Sequence, residues 1–108
     1  MDFKEHIKTY IFSNIPTVAY AIEHGLNVND WLCFVGNLNL TVMKFQRDRF
    51  FDFINDLPEL LESKDKPVDF AEKKGYNMDE FNMFNAKYDL LMIRRRYKEL
   101  QRGKNEIS

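Results

Sequence analysis

The side chains best equipped for chemistry are few and scattered. His6 and His24 are the two histidines, Cys33 is the single cysteine, and Ser13, Ser63 and Ser108 are the serines. A metal centre needs His, Cys or carboxylate side chains at spacings that let them converge on one ion, and no set here has such spacing. Cys33 has no base partner and lies on a long apolar segment, the setting of a packed thiol rather than of an activated nucleophile. The serines lack nucleophile context, and no Gly-rich phosphate loop is present. The sequence therefore assigns no catalytic residue, no cofactor site and no metal ligand, and points away from an enzyme.

The remaining chemistry is charge. Arg94-Arg95-Arg96, with Lys98, Arg102 and Lys104, sets six bases against Glu99 alone. Such a cluster suits salt-dependent contact with nucleic-acid phosphates, so Arg94, Arg95, Arg96, Lys98 and Arg102 are the candidate residues for that role. The same cations suit a solvated helix end, where they complement the helix dipole, and this is the simpler account. Over residues 52–80 nine acids face four lysines. Two faces of opposite sign result, able to attract each other within a dimer. The formal net charge of −1 excludes both a strongly basic nucleic-acid binder and an acidic mimic of nucleic acid.

These residues must be positioned by helices. Residues 1–50 align without a gap onto 51–100, and the best-matched block pairs Val18–Trp31 with Val68–Phe81. Each copy contains a joint. Gly25 and Gly75 suit the left-handed conformation that ends a helix. Asn27 and Asn77 then cap the next helix, with Asp30 and Glu80 three residues on. Leu26 with Trp31, and Tyr76 with Phe81, staple the entry. Helical spacing predicts helices over Asp2–Phe12 and Pro16–His24, then a long helix from Val28, bent at Gly36, to about Leu57. Pro58 and Pro67 open two short helices, a final helix spans Met78 to Arg102, and residues 103–108 read as a flexible tail.

The last helix shows two apolar stripes. One is Phe81, Phe84, Tyr88 and Leu91; the other runs through Met83, Ala86, Leu90, Ile93, Tyr97 and Leu100. A helix apolar on two sides buries both, or offers one to another chain. Met83, Leu90, Ile93, Tyr97 and Leu100 are thus the candidate partner-binding residues. Ten Phe, five Tyr and one Trp are many for 108 residues. They imply a core of large side chains or a surplus for a partner, with Trp31, Phe34, Phe81 and Phe84 in the core.

Two resemblances accompany these residues. Ala21-x-x-x-Gly25-Leu26 with Trp31 and Phe34, echoed by Ala71, Gly75, Tyr76, Phe81 and Phe84, resembles the DNA-binding helix-turn-helix. That resemblance implies a recognition helix in a groove, yet the leading residues here would be Asn27, Asn29 and Asp30, or Asn77, Asp79 and Glu80. Carboxylates there repel phosphate unless they read cytosine. Phe50, Phe53, Leu57, Pro58-Glu59-Leu60, Val68, Ala71, Gly75-Tyr76 and Glu80-Phe81 look like the helical leader-peptide-like domain first noted beside nitrogen-fixation genes. That resemblance implies a short helical domain recognised by peptide-modifying enzymes. The chain departs from it in having no Gly-Gly cleavage site and no Cys/Ser/Thr-rich segment after it.

The expectation is an all-α fold: a tandem pseudo-repeat of two helical hairpin units, packed about an approximate two-fold axis into a small helical bundle. One domain covers 1–102. No apolar stretch is long enough to span a bilayer, the charged N-terminus is unlike a secretory signal, and the lone cysteine fits a reducing, cytoplasmic compartment. Functionally, the reading is a non-catalytic protein-interaction module: a small accessory regulator or inhibitor, of phage or immunity type, binding a larger protein and able to form a homodimer. The alternatives are a nucleic-acid binder using the C-terminal basic helix and a self-assembling structural protein.

Overall fold

Local sequence specifies short helices joined by tight turns. The computed structural model describes residues 3–107, with side chains over 3–102. Among the described residues there are nine helices and no strands. They are α1 (His6–Ile11), α2 (Thr17–Glu23), α3 (Val28–Asn37), α4 (Leu40–Phe45), α5 (Phe51–Asn55), α6 (Leu57–Glu62), α7 (Pro67–Lys74), α8 (Met78–Tyr88) and α9 (Leu90–Ile107). The tail expected over 103–108 falls on residues whose side chains lie outside the description, while the backbone of α9 stays helical to Ile107. No helix among the described residues is long and apolar enough to cross a membrane.

The two joints form as their residues dictate. Gly25 and Gly75 adopt φ of 67° and 75°, a region closed to most side chains. Leu26 N–H then donates back to Ala21 O at 2.8 Å, and Tyr76 N–H to Ala71 O at 3.2 Å. Asn27 Oδ1 accepts from Asp30 N–H, and Asn77 Oδ1 from Glu80 N–H, both at 3.0 Å. Each cap satisfies one of the orphan donors of a helix start. The result lays α2 against α3 and α7 against α8.

Two corrections concern the long helices. The helix expected from Val28 to about Leu57 is three pieces, α3 to α5, with α6 as the short helix expected at Pro58, and the one from Met78 to Arg102 breaks after Tyr88. Asn39 and Asp89 cause two of these breaks: both take left-handed backbone, φ 56° and 52°, which Asn and Asp tolerate better than other side chains. Asp89 also starts the next helix, its Oδ1 accepting from Met92 N–H at 3.3 Å.

The helices pack into a slab 38 × 33 × 18 Å, about two helix diameters thick. In one half Trp31 lies fully buried among Phe3, Tyr10, Tyr20 and Phe34, at centroid distances of 5.3–5.9 Å. In the other, Phe84 is ringed by Phe50, Phe53 and Tyr88 at 5.1–5.3 Å. Trp31, Phe34, Phe81 and Phe84 are all core, as their spacing predicts. The packing of α3 on α9, with Phe34 near Tyr97, fuses the halves into one core.

Around Gly75 a built Cβ would meet open space, so only the backbone resists substitution there. Gly75→Val should cost on the order of 1–2 kcal/mol and Gly75→Asn clearly less. Denaturant midpoints of the two variants check this, and equal midpoints for Val and wild type would contradict the joint.

Candidate interaction surface

The break at Asp89 decides which side chains of the last two helices reach the surface. On α8, Phe81, Phe84 and Tyr88 face inward while Met83 and Ala86 face out. The left-handed residue then resets the helical phase. On α9 the inward face is Leu90, Ile93 and Tyr97, with Leu100 half-buried against the core, and Leu91 is 57% exposed. The candidate partner stripe is therefore not one surface. Met83 stands outside, contacted by Arg49, and Leu90, Ile93 and Tyr97 are buried and have no face to offer another molecule. Cys33 is corrected the other way: it is exposed, with Asn37 Nδ2 donating to its Sγ at 3.3 Å.

The arginine cluster is also divided. Successive residues of a helix point about 100° apart, so Arg94-Arg95-Arg96 cannot share a face. Arg94 is 8% exposed, its Nε donates to Leu60 O at 3.2 Å, and its Nη2 is buried without a partner. Burial lowers its pKa, opposed by the charge of Asp65. Arg96 donates to Asn37 O at 3.3 Å and ties α9 to the end of α3. Arg95, Lys98 and Arg102 are exposed.

The aromatic surplus goes mainly to the core. All five tyrosines pack inside or at its margin with the hydroxyl bonded at the edge: Tyr10 to Thr17 and Thr41, Tyr20 to His6, Tyr76 to Asp56, Tyr88 to Gln46 and Tyr97 to Glu62. Of the ten phenylalanines, eight are buried or half-buried and two are exposed. Phe51 still touches Phe12 at 5.3 Å. Phe45, at the end of α4, is 84% exposed, and Val42 lies one turn before it on the same face, also exposed.

Phe45 borders a groove of about 510 Å³ that also takes in Pro16, Thr17, Thr41 and Asp48. Its floor is a hydroxyl cluster in which Tyr10 Oη lies 2.6 Å from Thr17 Oγ1 and 3.0 Å from Thr41 Oγ1. Two cations flank it, and both are committed to the protein itself. Lys44 Nζ donates to Tyr10 O, Ser13 Oγ and Ile15 O at 2.7–2.9 Å, which uses all three of its protons. Arg47 donates to Ile11 O, Ser13 O and Asn14 Oδ1. They close off the end of α1 and hold the α1–α2 turn. The groove thus presents hydroxyls, a proline and an exposed aromatic edge rather than a free cation pair. Phe45 falls within the long helix that helical spacing predicts from Val28, where nothing singles it out. The signal was the polar run from Gln46 to Arg49 immediately after it.

The histidines meet at another edge. His6 Nδ1 and Tyr20 Oη are 2.8 Å apart, His24 stacks on Tyr20 at 4.0 Å, and the two imidazoles are 5.4 Å apart. Among the described residues no three His, Cys, Asp or Glu side chains gather as a metal site. Comparison of the chain with protein-family models, curated proteins and solved structures finds no match.

Two predictions follow from these contacts. Lys44→Met leaves three acceptors without their donor and should cost about 2 kcal/mol, read as a lower denaturant midpoint; an unchanged midpoint would mean the clamp is idle. The pKa of His6 is lowered from its ordinary 6.5 by burial and by His24, against a smaller opposing effect of Glu5. The unfolded chain therefore takes up this proton more readily than the folded one. Stability is full above 6.5 and declines as pH falls through that value towards the folded one. Melting temperature should drop between about pH 7.5 and 5.5, and His6→Gln should flatten the decline; a parallel decline in the variant would assign it elsewhere.

Proposed function

We propose that this protein is a non-catalytic helical interaction module whose exposed Val42–Phe45 edge docks on a larger protein. The single observation that carries the reading is Phe45, a large aromatic side chain 84% exposed, with no ring contact among the described residues of the kind that Phe51, the other exposed phenylalanine, makes with Phe12. Aromatic side chains that fill a pocket on a partner dominate binding energy in protein interfaces, and Val42, Pro16 and the methyl groups of Thr17 and Thr41 extend the apolar character around it. Such an edge, with no group of metal-ligating side chains gathered among the described residues, suits a small accessory regulator or inhibitor, of the phage or immunity type, acting in the cytoplasm. The division of the arginine cluster weighs against the alternative of a nucleic-acid binder, because Arg94 and Arg96 spend donors on Leu60 O and Asn37 O.

The framework of the module is read as a tandem pseudo-repeat. Several features recur fifty residues apart: the left-handed Asn39 and Asp89, the joints at Gly25 and Gly75, and the caps Asn27 and Asn77. Lys44 donates to Tyr10 O as Arg94 does to Leu60 O. Ser13 Oγ accepts from Ile15 N–H as Ser63 Oγ accepts from Asp65 N–H. These parallels support a duplicated unit in which the first copy carries the docking edge.

The test compares proteins captured from source-cell lysate, after nuclease treatment, by the wild type and by Phe45→Ser. Position 45 is solvent-exposed, so the variant should melt within about 0.5 kcal/mol of wild type. A protein retained in stoichiometric amount by the wild type should fall roughly tenfold or more with Phe45→Ser, the loss of one anchor residue. Equal recovery of every protein by the two would refute the edge.

A further inference from the structure

The acidic and basic stretches of this chain neutralise each other only in part within the molecule, through the effect of Asp65 on Arg94. The ion pairs among the described residues are Lys4–Glu62, Arg49–Glu80, Lys73–Asp65 and Lys74–Glu59. None of them uses Arg95 or Lys98, and none uses Asp69 or Glu72. All four of these side chains are exposed.

Helical spacing sorts them onto two faces. On α7, Val68, Asp69 and Glu72 stand together, three and four residues apart. On α9, Leu91, Arg95 and Lys98 stand together in the same way, with Arg102 continuing the row. Each face begins with an exposed aliphatic side chain, Val68 or Leu91. Each places a charge four residues later, Glu72 or Arg95, and adds a second charge of the same sign. The two faces oppose in charge, Asp69 standing three residues before Glu72 and Lys98 three residues after Arg95. The pKa of Lys73 is raised by its bond to Asp65 and, to a smaller extent, by the charge of Asp69.

We propose that the α7 face of one molecule docks on the α9 face of a second copy, Val68 against Leu91 and the two carboxylates against Arg95 and Lys98. Pairing of like faces is disfavoured by charge. In the proposed assembly a two-fold axis relates two such contacts, which closes it as a dimer. Exposed ion pairs are individually weak and screened by salt, so the association is modest and salt-sensitive. It uses a face separate from the Phe45 edge, so Phe45→Ser leaves it intact and the two readings fail independently.

The test is sedimentation of the full chain over a range of concentrations, at about 50 and about 500 mM salt. Wild type should approach twice the monomer mass at low salt, with the apparent dissociation constant rising roughly tenfold or more at high salt. The double variants Arg95→Glu/Lys98→Glu and Asp69→Lys/Glu72→Lys should each be monomeric, because each carries two faces of one sign. Their equimolar mixture should regain the dimer, since every contact then joins opposite charges. If a charge-reversed chain fails to fold, Asp69→Asn/Glu72→Gln should weaken the wild-type association in the same direction. A wild type that stays monomeric at low salt, reversed variants that dimerise as well as wild type, or a mixture that stays monomeric would each overturn the proposal. A monomer that binds a labelled single-stranded oligonucleotide through Arg95 and Lys98 would overturn it in favour of phosphate.

Discussion

Asn39 and Asp89 set the inside and outside of every helix around them. A straight helix carried through either position would keep its apolar stripe in phase, and Met83 would share a face with Leu90 and Ile93. A single left-handed residue turns the chain and restarts the helix with a new phase. Cys33 and Gly36 on α3, like Met83 and Ala86 on α8, consequently lie outside, while Leu40 and Met43 on α4, like Leu90 and Ile93 on α9, lie inside. The slab is closed by these two turns: they let α4 pack back on α1, and α9 on α6, instead of running on past them. A non-glycine residue at positive φ is tolerated here because Asn and Asp bear the conformation at low cost, and because Asp89 recovers part of that cost by capping α9.

This same feature marks the boundary of what the sequence makes legible. The joints at Gly25 and Gly75 are readable because they use glycine, an Asn cap and a hydrophobic staple, three local signals that agree. The breaks at Asn39 and Asp89 lack glycine and proline, and the residues around them have helical periodicity on both sides. Only the alignment of the two halves, which sets Asn39 opposite Asp89, carries a hint of them. The candidate partner stripe failed for that reason: periodicity counted across Asp89 joined the outside of one helix to the inside of the next. The core list survived because Trp31, Phe34, Phe81 and Phe84 follow the joints directly, within a turn or two of a fixed cap. Arg94 shows another limit. A cation in a basic run reads as solvated, and only tertiary packing shows that it reaches back to Leu60 O.

Four cations in this fold act as substitutes for missing backbone donors. Lys44, Arg47, Arg94 and Arg96 all donate to main-chain carbonyls in the α1–α2 turn, the end of α6 or the end of α3. Short helices have a high share of unsatisfied terminal carbonyls, since the last four of each helix lack intrahelical partners. A domain whose first eight helices are only five to eleven residues long needs such donors in number. The cost is desolvation, visible in the lowered pKa of Lys44, from burial and from neighbouring Arg47, and in the buried Nη2 of Arg94.

The contrast between α4 and α9 explains how an aromatic side chain comes to stand in solvent. Fifty residues separate Arg47 from Tyr97, and the two positions are used differently. Tyr97 stays within α9, buries its ring and passes its hydroxyl to Glu62 at 2.5 Å, so the helix continues. Arg47 reaches back to Ile11 O and Ser13 O instead, and α4 has already ended at Gln46. The chain then needs the turn 46–50 to bring Phe50 back to the core beside Phe84. Phe45, the last residue of α4, projects from the helix just before that turn with no following turn of helix to cover it. Its exposure is thus a consequence of terminating α4 early, and the same early end gives the groove between the α1–α2 turn and α4 its open side.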